Sequence, residues 1–495
     1  IQENQLAMLS SLGLLSRDRT DYAMYAGSVV LVAAILVLMV MSLRFSSAPL
    51  YFSIKRLPIV YLTILVTLLL TSWAKSASIP YAAPLALPYL LLSVTLGVLP
   101  AVTTGAAVSL VGALMLVNSG GTGADMMNLV ISSLFSGLLG AHLLAKRYQR
   151  SFLLIAGTAV SLSNFFILLS IGMMTSMSMQ QTLDRALWGF AGGAASALLG
   201  MALVPALESM FNLPTPMRLL DLTNPIHPLL RRLLLETPGT YHHSIIIANL
   251  AEACAEAIGA NPLLARAGAY FHDIGKLKRP LYFKENQIGT SNLHDATDPR
   301  VSAAIITSHV REGLVLARAH RLPEEIQHII ADHHGNSIVQ YFYHKASEEE
   351  GAPADEQEYR YDGGLPRSAE CAIIMICDTV EAAIRTLSSP TREEIAEFIG
   401  TLIRQKMDAG LLDASPLTLR HLQVIRDTCA KVIFGVFHER IEYPKAPVKA
   451  APSERLAAAL QGLRKPSRPL EKAGRTAPPQ QDGARDTARK DTKSA

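Results

Sequence analysis

Charge is what the first half of this 495-residue sequence has little of. From Ala23 to Leu207 ionisable side chains are scarce, whereas the remainder has the composition of an ordinary aqueous protein. That asymmetry argues against a single soluble globule and for a membrane half joined to an aqueous one. Cysteine is also scarce. Cys254, Cys371, Cys377 and Cys429 all lie in the second half and none forms a CxxC pair. Apolar neighbours such as Ala372 and Ile376 favour buried, reduced thiols over a disulfide framework. From Pro444 onward there is no aromatic residue, and Pro, Lys, Arg and Gln accumulate, so residues 445–495 are expected to form a disordered basic tail. Lys445 to Ala495 holds twelve Lys/Arg and five Asp/Glu, a charge of +7 against +4 for the whole chain, which leaves −3 for the rest. The basic balance therefore gives no reason to expect a nucleic-acid polymer as partner.

What is abundant is long apolar runs. Seven stretches approach the roughly 20 residues needed to cross a bilayer: Ala23–Leu43, Pro58–Trp73, Tyr81–Val98, Ala101–Val117, Met126–Ala145, Ser151–Met174 and Ala186–Leu207. Only a tight turn at Pro100 separates the third from the fourth, so that pair also reads as one re-entrant unit. Basic residues alternate along the loops. Arg44, Lys55 and Arg56 follow the first span, Lys146, Arg147 and Arg150 the fifth, and Arg218, Arg231 and Arg232 the seventh, while the alternate loops carry only Lys75 and Arg185. The positive-inside rule then places residues 1–22 outside and everything after Leu207 in the cytoplasm. Within the spans His142, beside Lys146, is the ionisable residue of note, so an anchor or sensor bundle is expected over a transport path. Gly192, Gly193 and Gly200 suit close helix packing.

Pro214, Pro216, Pro225 and Pro228 mark a linker, residues 208–228, into a helical domain at 229–444. Helical spacing runs from Ile245 to a stop at Gly259, and again near Val301–Arg318, Glu324–Ala331, Ala369–Leu387, Arg392–Ala409 and Thr418–Phe437. Ser347 to Arg367 reads as a solvated loop or short hairpin. No run of alternating strands is present, so the fold class is all-α: a polytopic transmembrane helix bundle followed by an all-helical domain.

Thirteen of the fourteen histidines lie after Pro225. His243, the pair His272–Asp273, His309, the pair His333–His334, and Asp378 each sit on or beside a separate expected helix, and a helical bundle aims such side chains into one cavity. Imidazole and carboxylate suit intermediate divalent metals, and a carboxylate is able to bridge two of them. Gly275 permits a close backbone approach, and Lys276 brings a fixed positive charge to where a phosphate would lie. Taken singly, His309 reads as an ordinary histidine and Asp378 as a capping residue or a partner of Arg385. His227, His242, His294, His320, His328, His344, His421 and His438 are read as surface or structural.

The order His243, His272–Asp273, His309, His333–His334, Asp378 resembles that of the HD superfamily of metal-dependent phosphohydrolases. The surrounding text is closer still: Glu236-Thr-Pro-Gly-Thr-Tyr-His-His-Ser244, Gly259-Ala-Asn-Pro-Leu-Leu264, Tyr270-Phe-His-Asp-Ile-Gly-Lys-Leu-Lys-Arg-Pro280, Tyr282-Phe283, Glu285-Asn-Gln287, His333-His-Gly335, Tyr341-Phe-Tyr343, Tyr359-Arg-Tyr361, Glu381-Ala-Ala383 and Arg440-Ile-Glu-Tyr-Pro444. Over residues 5–445 the chain resembles the seven-transmembrane HD hydrolases, whose characterised members are cyclic di-AMP phosphodiesterases yielding pApA. The loop Tyr361-Asp-Gly-Gly-Leu-Pro366 departs from the family's usual Pro-Gly-Pro-Lys-Pro. In that family an extracellular domain precedes the bundle. Residues 1–22, with Leu9–Leu15, read as its end, and a chain opening on Ile rather than Met is expected to be a fragment.

The resemblance implies two divalent metals, iron or manganese, one held by His243, His272, Asp273 and Asp378. The other would share Asp273 and take His309, His333 and His334. It implies hydrolysis of one phosphodiester bond of a cyclic dinucleotide, with Asp273 and Lys276 in catalytic roles. Gly335-Asn-Ser-Ile-Val-Gln340 stands where the cyclic di-GMP branch usually carries Gly-Tyr-Pro, and preference for adenine rests on the resemblance alone. A phosphohydrolase for another nucleotide, a receptor that binds nucleotide without cutting it, and a homo-oligomer stay open at this point.

Overall fold

The computed structural model describes residues 5, 8, 22–46, 56–117, 122–145, 149–175, 177–287, 292–385, 387 and 390–437. Apart from Gln5 and Met8, the expected sensor remnant before Tyr22 lies outside the described residues, as do the tail 445–495, Lys55, Lys146, Arg147, His438 and the Arg440–Pro444 motif. Among those described, every regular element is helical, and the nearest thing to a sheet is one antiparallel bridge between Ile338 and Arg360.

Helical elements stand in all seven apolar stretches. Six are long and apolar enough to cross a bilayer: α1 (Tyr22–Ser46), α2 (Leu57–Ser76), α4 (Val98–Val117), α5 (Gly123–Leu144), α6 (Ser151–Met174) and α7 (Met179–Phe211). The third stretch is different. It forms a 3-10 turn, Pro80–Ala82, and a nine-residue helix, α3 (Leu87–Thr95). Nine residues rise about 14 Å, under half of a bilayer core. Pro80, Pro84 and Pro88 account for this, because none offers an amide proton and each limits helix to the residues after it. α3 itself is enclosed, with Leu87, Tyr89, Leu90 and Leu92 fully buried among the longer helices, and the stretch as a whole runs from the end where Tyr81 donates to Asp125 to the end where Leu96 packs on Met39, Leu43 and Val60. Gly192 and Gly193 do allow close approach, since a Cβ there would come within 2.9 Å of the Tyr81 carbonyl and 2.7 Å of Ser161 Cα, respectively; Gly200 has room to spare.

α7 continues past Leu207, through Pro205, and stops where Asn212 turns left-handed (φ 53°). The expected linker is therefore structured. Within it α8 (Pro216–Leu222) sends Met217 into the bundle core, with Leu213 beside it, and Leu219 and Leu222 into the core of the second domain.

That domain comprises α9 (Pro228–Glu236), α10 (Pro238–Ile258), α11 (Pro262–Phe271), α12 (Pro299–Ala319), α13 (Glu324–Asp332), α14 (Gln340–Glu350), α15 (Ala369–Ile384), α16 (Arg392–Asp408) and α17 (Leu419–Phe437). Local chemistry sets the ends. Asn261 and Ser368 accept amide hydrogen bonds at the starts of α11 and α15, Thr391 and Glu394 form a capping box on α16, and Gly259 (φ 77°) closes α10. α15 is the central helix. Ile373, Ile374, Ile376 and Val380 are completely or almost completely buried, each contributing about 1.5–3 kcal/mol of apolar transfer.

One expectation needs correction. Ser347–Glu350 are not loop but the last turn of α14, because Phe342 and Ala346 pack with Ala303, Ala354 and Tyr359 in a satellite core. Only the segment after Gly351 is irregular, and the fully buried Tyr359 pins it. The four cysteines are free and buried, as expected.

Candidate metal centre

Five separate elements deliver the candidate side chains. His243 comes from the first third of α10, His272 and Asp273 follow the end of α11, and His309 lies mid-α12. His333 terminates α13 with His334 next, and Asp378 is on α15. The structure brings all seven together. Asp273 is at the middle: its Oδ2 is 3.2 Å from His272 Nε2 and 3.6 Å from His243 Nε2, and its Oδ1 is 3.2 Å from His309 Nε2 and 3.9 Å from His333 Nε2. Asp378 Oδ1 lies 3.1 Å from His243 Nε2, and its Oδ2 3.8 Å from His334 Nδ1. Two groups result that could each hold a cation, His243–His272–Asp273 and Asp273–His309–His333–His334, with Asp273 common to both.

The imidazoles are aimed by their own helices. Nδ1 of His272, His309 and His333 donates to the carbonyls of Ala269, Ile306 and Ile330, at 2.7, 2.6 and 2.9 Å. A carbonyl only accepts, so each Nδ1 carries the proton and each neutral ring presents an Nε2 lone pair to the centre. His309 Nε2 and His333 Nε2 consequently face each other at 3.4 Å, lone pair to lone pair. His272 Nε2 and both Asp273 oxygens are buried without a partner in hydrogen-bonding geometry. Lys276 Nζ, 2.8 Å from Asp273 Oδ2, offsets one of these acceptors, but the imidazole lone pairs that converge beside it remain costly, and a divalent cation is the species that satisfies them together. The residues present fit such ions.

Electrostatics agree. Burial holds His309 and His334 below the ordinary imidazole range and pushes His333 down to about 3, helped there by His272 and His309. These rings stay neutral, as coordination requires. Burial opposes ionisation of Asp273, but His272 and Lys276 outweigh it and hold the carboxyl well below its usual range; His243 does the same for Asp378. His243 differs: burial disfavours its charge, yet Asp378 and Glu381 raise it to about 10. Its Nδ1 donates to Glu381 Oε2 at 2.8 Å, and Arg385 Nε holds that carboxylate at 3.0 Å. Such a carboxylate behind a ligand imidazole fixes ring orientation and strengthens its basicity.

Lys276 lies in the same pocket, with Nζ 2.8 Å from both Asp273 Oδ2 and Glu285 Oε1 and above the Phe283 ring. Gly275 makes its close approach to protein rather than to ligand. A Cβ there would stand 1.8 Å from the His309 carbonyl oxygen and 2.6 Å from Gly313 N. The loop around Tyr361 reaches the site despite its departure from the usual text: Gly364 N donates to Asp332 Oδ1 at 3.0 Å, and the Tyr361 ring stacks on His334 at 4.2 Å. Arg385 pairs with Glu381, not Asp378. His294 is structural, bonding the Tyr282 carbonyl at 2.8 Å.

A family model described as "7TM receptor with intracellular HD hydrolase" matches residues 22–215, and a model of the HD domain matches residues 240–383. The two matches follow one another along the chain in the order membrane module, then HD domain. The chain is 41% identical over 374 residues to Cyclic-di-AMP phosphodiesterase PgpH of Bacillus subtilis (strain 168), covering 75% of this chain and 52% of that protein. Against the protein of the same name from Listeria monocytogenes serotype 1/2a (strain 10403S) the figures are 40% over 318 residues, 64% and 44%. The chain thus spans about half the length of the curated relatives it matches. A crystal structure of the L. monocytogenes PgpH HD domain in complex with cyclic-di-AMP is 44% identical, with a TM-score of 0.42, and covers 43% of this chain and all of that one. HD domains of this family bind divalent metals, and the His/Asp cluster stands inside the matched segment.

Proposed function

We propose that this chain is a metal-dependent phosphodiesterase that opens cyclic di-AMP to linear pApA. It would be held in the cell membrane by residues 23–207 and joined through 208–228 to a cytoplasmic HD domain at 229–444 and a basic tail at 445–495. The observation that carries the reading is the set of inward-facing lone pairs around Asp273. Two relatives named for cyclic di-AMP hydrolysis support the substrate. Arg56, Arg150 and Arg218, which all lie at the end of the bundle that meets the HD domain, support the cytoplasmic side for that domain.

His243, His272, Asp273 and Asp378 would hold one ion, iron or manganese, and Asp273, His309, His333 and His334 the other. When bound, such ions supply Lewis acidity and a water acidified from a pKa of about 15.7 towards 7. The chain's own residues do the rest. His272, Asp273, His309 and His333 form a buried floor, while His334 and Asp378 keep 23% and 16% of their side-chain surface open, marking the face from which a phosphodiester enters. Glu381 holds His243 in place, and Tyr361 braces His334. Lys276 offsets negative charge beside Asp273 as it builds on the phosphoryl group.

The full chain in detergent, given manganese and cyclic di-AMP and followed by chromatography, should yield pApA, with cyclic di-GMP and guanosine tetraphosphate cut far more slowly. Asp273→Ala should lose turnover and bound metal while the helical circular-dichroism signal survives. Full activity in that variant refutes the site.

A further inference from the structure

The bundle grips the element that carries one end of the metal centre. α13 is nine residues long, about 14 Å of helix, with His333 closing it and His334 following. Three residues from the bundle side hold its other end. Arg56, the residue that opens α2, donates from Nη2 to Glu325 Oε1 at 2.6 Å. Asn212, which closes α7, donates from Nδ2 to the Leu322 carbonyl at 3.1 Å. Arg218 of α8 donates from Nη1 to the Glu208 carbonyl on α7 at 2.8 Å, and from Nη2 to the Arg321 carbonyl at 2.7 Å. The turn they hold is stiff: Arg321 is left-handed (φ 51°) and Leu322 is fully buried. α13 is equally constrained, since Ile326, Ile329 and Ile330 lock into the core. A short packed helix moves as a unit, so a shift at residues 321–325 is passed to His333 and His334. Coordination tolerates only about 0.2 Å, so small displacements count.

We propose that Arg56, Asn212 and Arg218 are positioning residues through which the bundle sets the placement of His333 and His334. They thereby tune how tightly Asp273, His309, His333 and His334 hold their ion. This rests on the reading of the cluster as a metal pair. The other half-site stands on α10, α11 and α15 and serves as the internal reference.

The test uses the full chain in lipid nanodiscs, titrated with manganese by calorimetry, the isotherm of interest being the one lost in His309→Ala. Arg56→Glu should weaken that isotherm about fivefold and leave the other as it was. At limiting manganese kcat should fall while KM for cyclic di-AMP holds. Adding Glu325→Arg should restore both. A partly exposed ion pair is too weak to unfold the domain when lost, and Asn212→Ala, which removes no charge, should shift the isotherm in the same direction. Unchanged isotherms in Arg56→Glu, or a swapped double variant as weak as the single one, would overturn the proposal. The isotherms need no substrate. If cyclic di-AMP is the wrong substrate, coupling survives without pApA; if the coupling is wrong, pApA forms with isotherms unmoved.

Discussion

Replacing Gly275 with Ala probes how tightly the centre is built. Gly275 is not among the residues with positive φ, so its requirement is space, not backbone freedom. The added Cβ would lie 1.8 Å from the His309 carbonyl oxygen, where contacts below 3.0 Å are not tolerated, and its other close neighbours are also backbone atoms of α12. Neither side can rotate away. The His272–Asp273 turn and α12 must separate by about 1.2 Å, which moves His309 away from Asp273, now 3.2 Å apart. Overpacking of this kind costs about 1–3 kcal/mol, equivalent to roughly 3–10 °C in a domain of this size. A 1 Å misplacement of catalytic groups costs about 10²-fold in rate. Gly275→Ala should therefore melt a few degrees lower, lose one of two bound metals by elemental analysis, and hydrolyse cyclic di-AMP about a hundredfold more slowly. Gly259→Ala is the control. It strains a left-handed helix end with open space around it, and should lose about 1 kcal/mol with metals and turnover intact. A Gly275→Ala protein that keeps two metals and most of its activity would refute the reasoning.

Glu381→Gln removes the carboxylate behind His243 and should weaken metal binding about 10–100-fold, with excess manganese restoring turnover in the assay. The metal-free protein should be most stable near pH 6.5. His333 sits at about 3 when folded against about 6.5 unfolded, so the unfolded chain binds more protons between those values and stability falls as pH drops through that window. His243 runs the other way: at about 10 when folded, it contributes stability that is lost as pH rises from about 6.5 towards 10. Thermal melts of chelator-treated protein should show both slopes, and saturating manganese should abolish the alkaline one, because a coordinated His243 is already neutral and does not titrate in that range.

Much of this was legible from residue order. The helices near Glu324–Ala331 and Arg392–Ala409 follow from helical spacing, and the seven candidate ligands from the order of His and Asp around His272–Asp273 that resembles the HD superfamily. What escaped depends on three-dimensional placement. An apolar run does not reveal how much of it is helix, and Pro80, Pro84 and Pro88 were the signal that the third stretch would hold only the short buried helix α3. Glu381 stood in the motif text without a role, although it lies three residues after Asp378 and thus on the same helix face. Glu285 likewise stood in the motif text without a role, since its partnership with Lys276 is made by a turn that no periodicity foretells. The roles of Asn212 and Arg218 also needed the structure, because they arise where a bundle helix runs past its expected end into the next domain.

The account depends on a pair of cations meeting at Asp273, and anomalous diffraction from manganese-loaded crystals tests that most directly. Two peaks should appear on either side of the Asp273 carboxylate, one bounded by His243, His272 and Asp378 and one by His309, His333 and His334. A single peak elsewhere, or none beside Asp273 in a protein that still makes pApA, would contradict it.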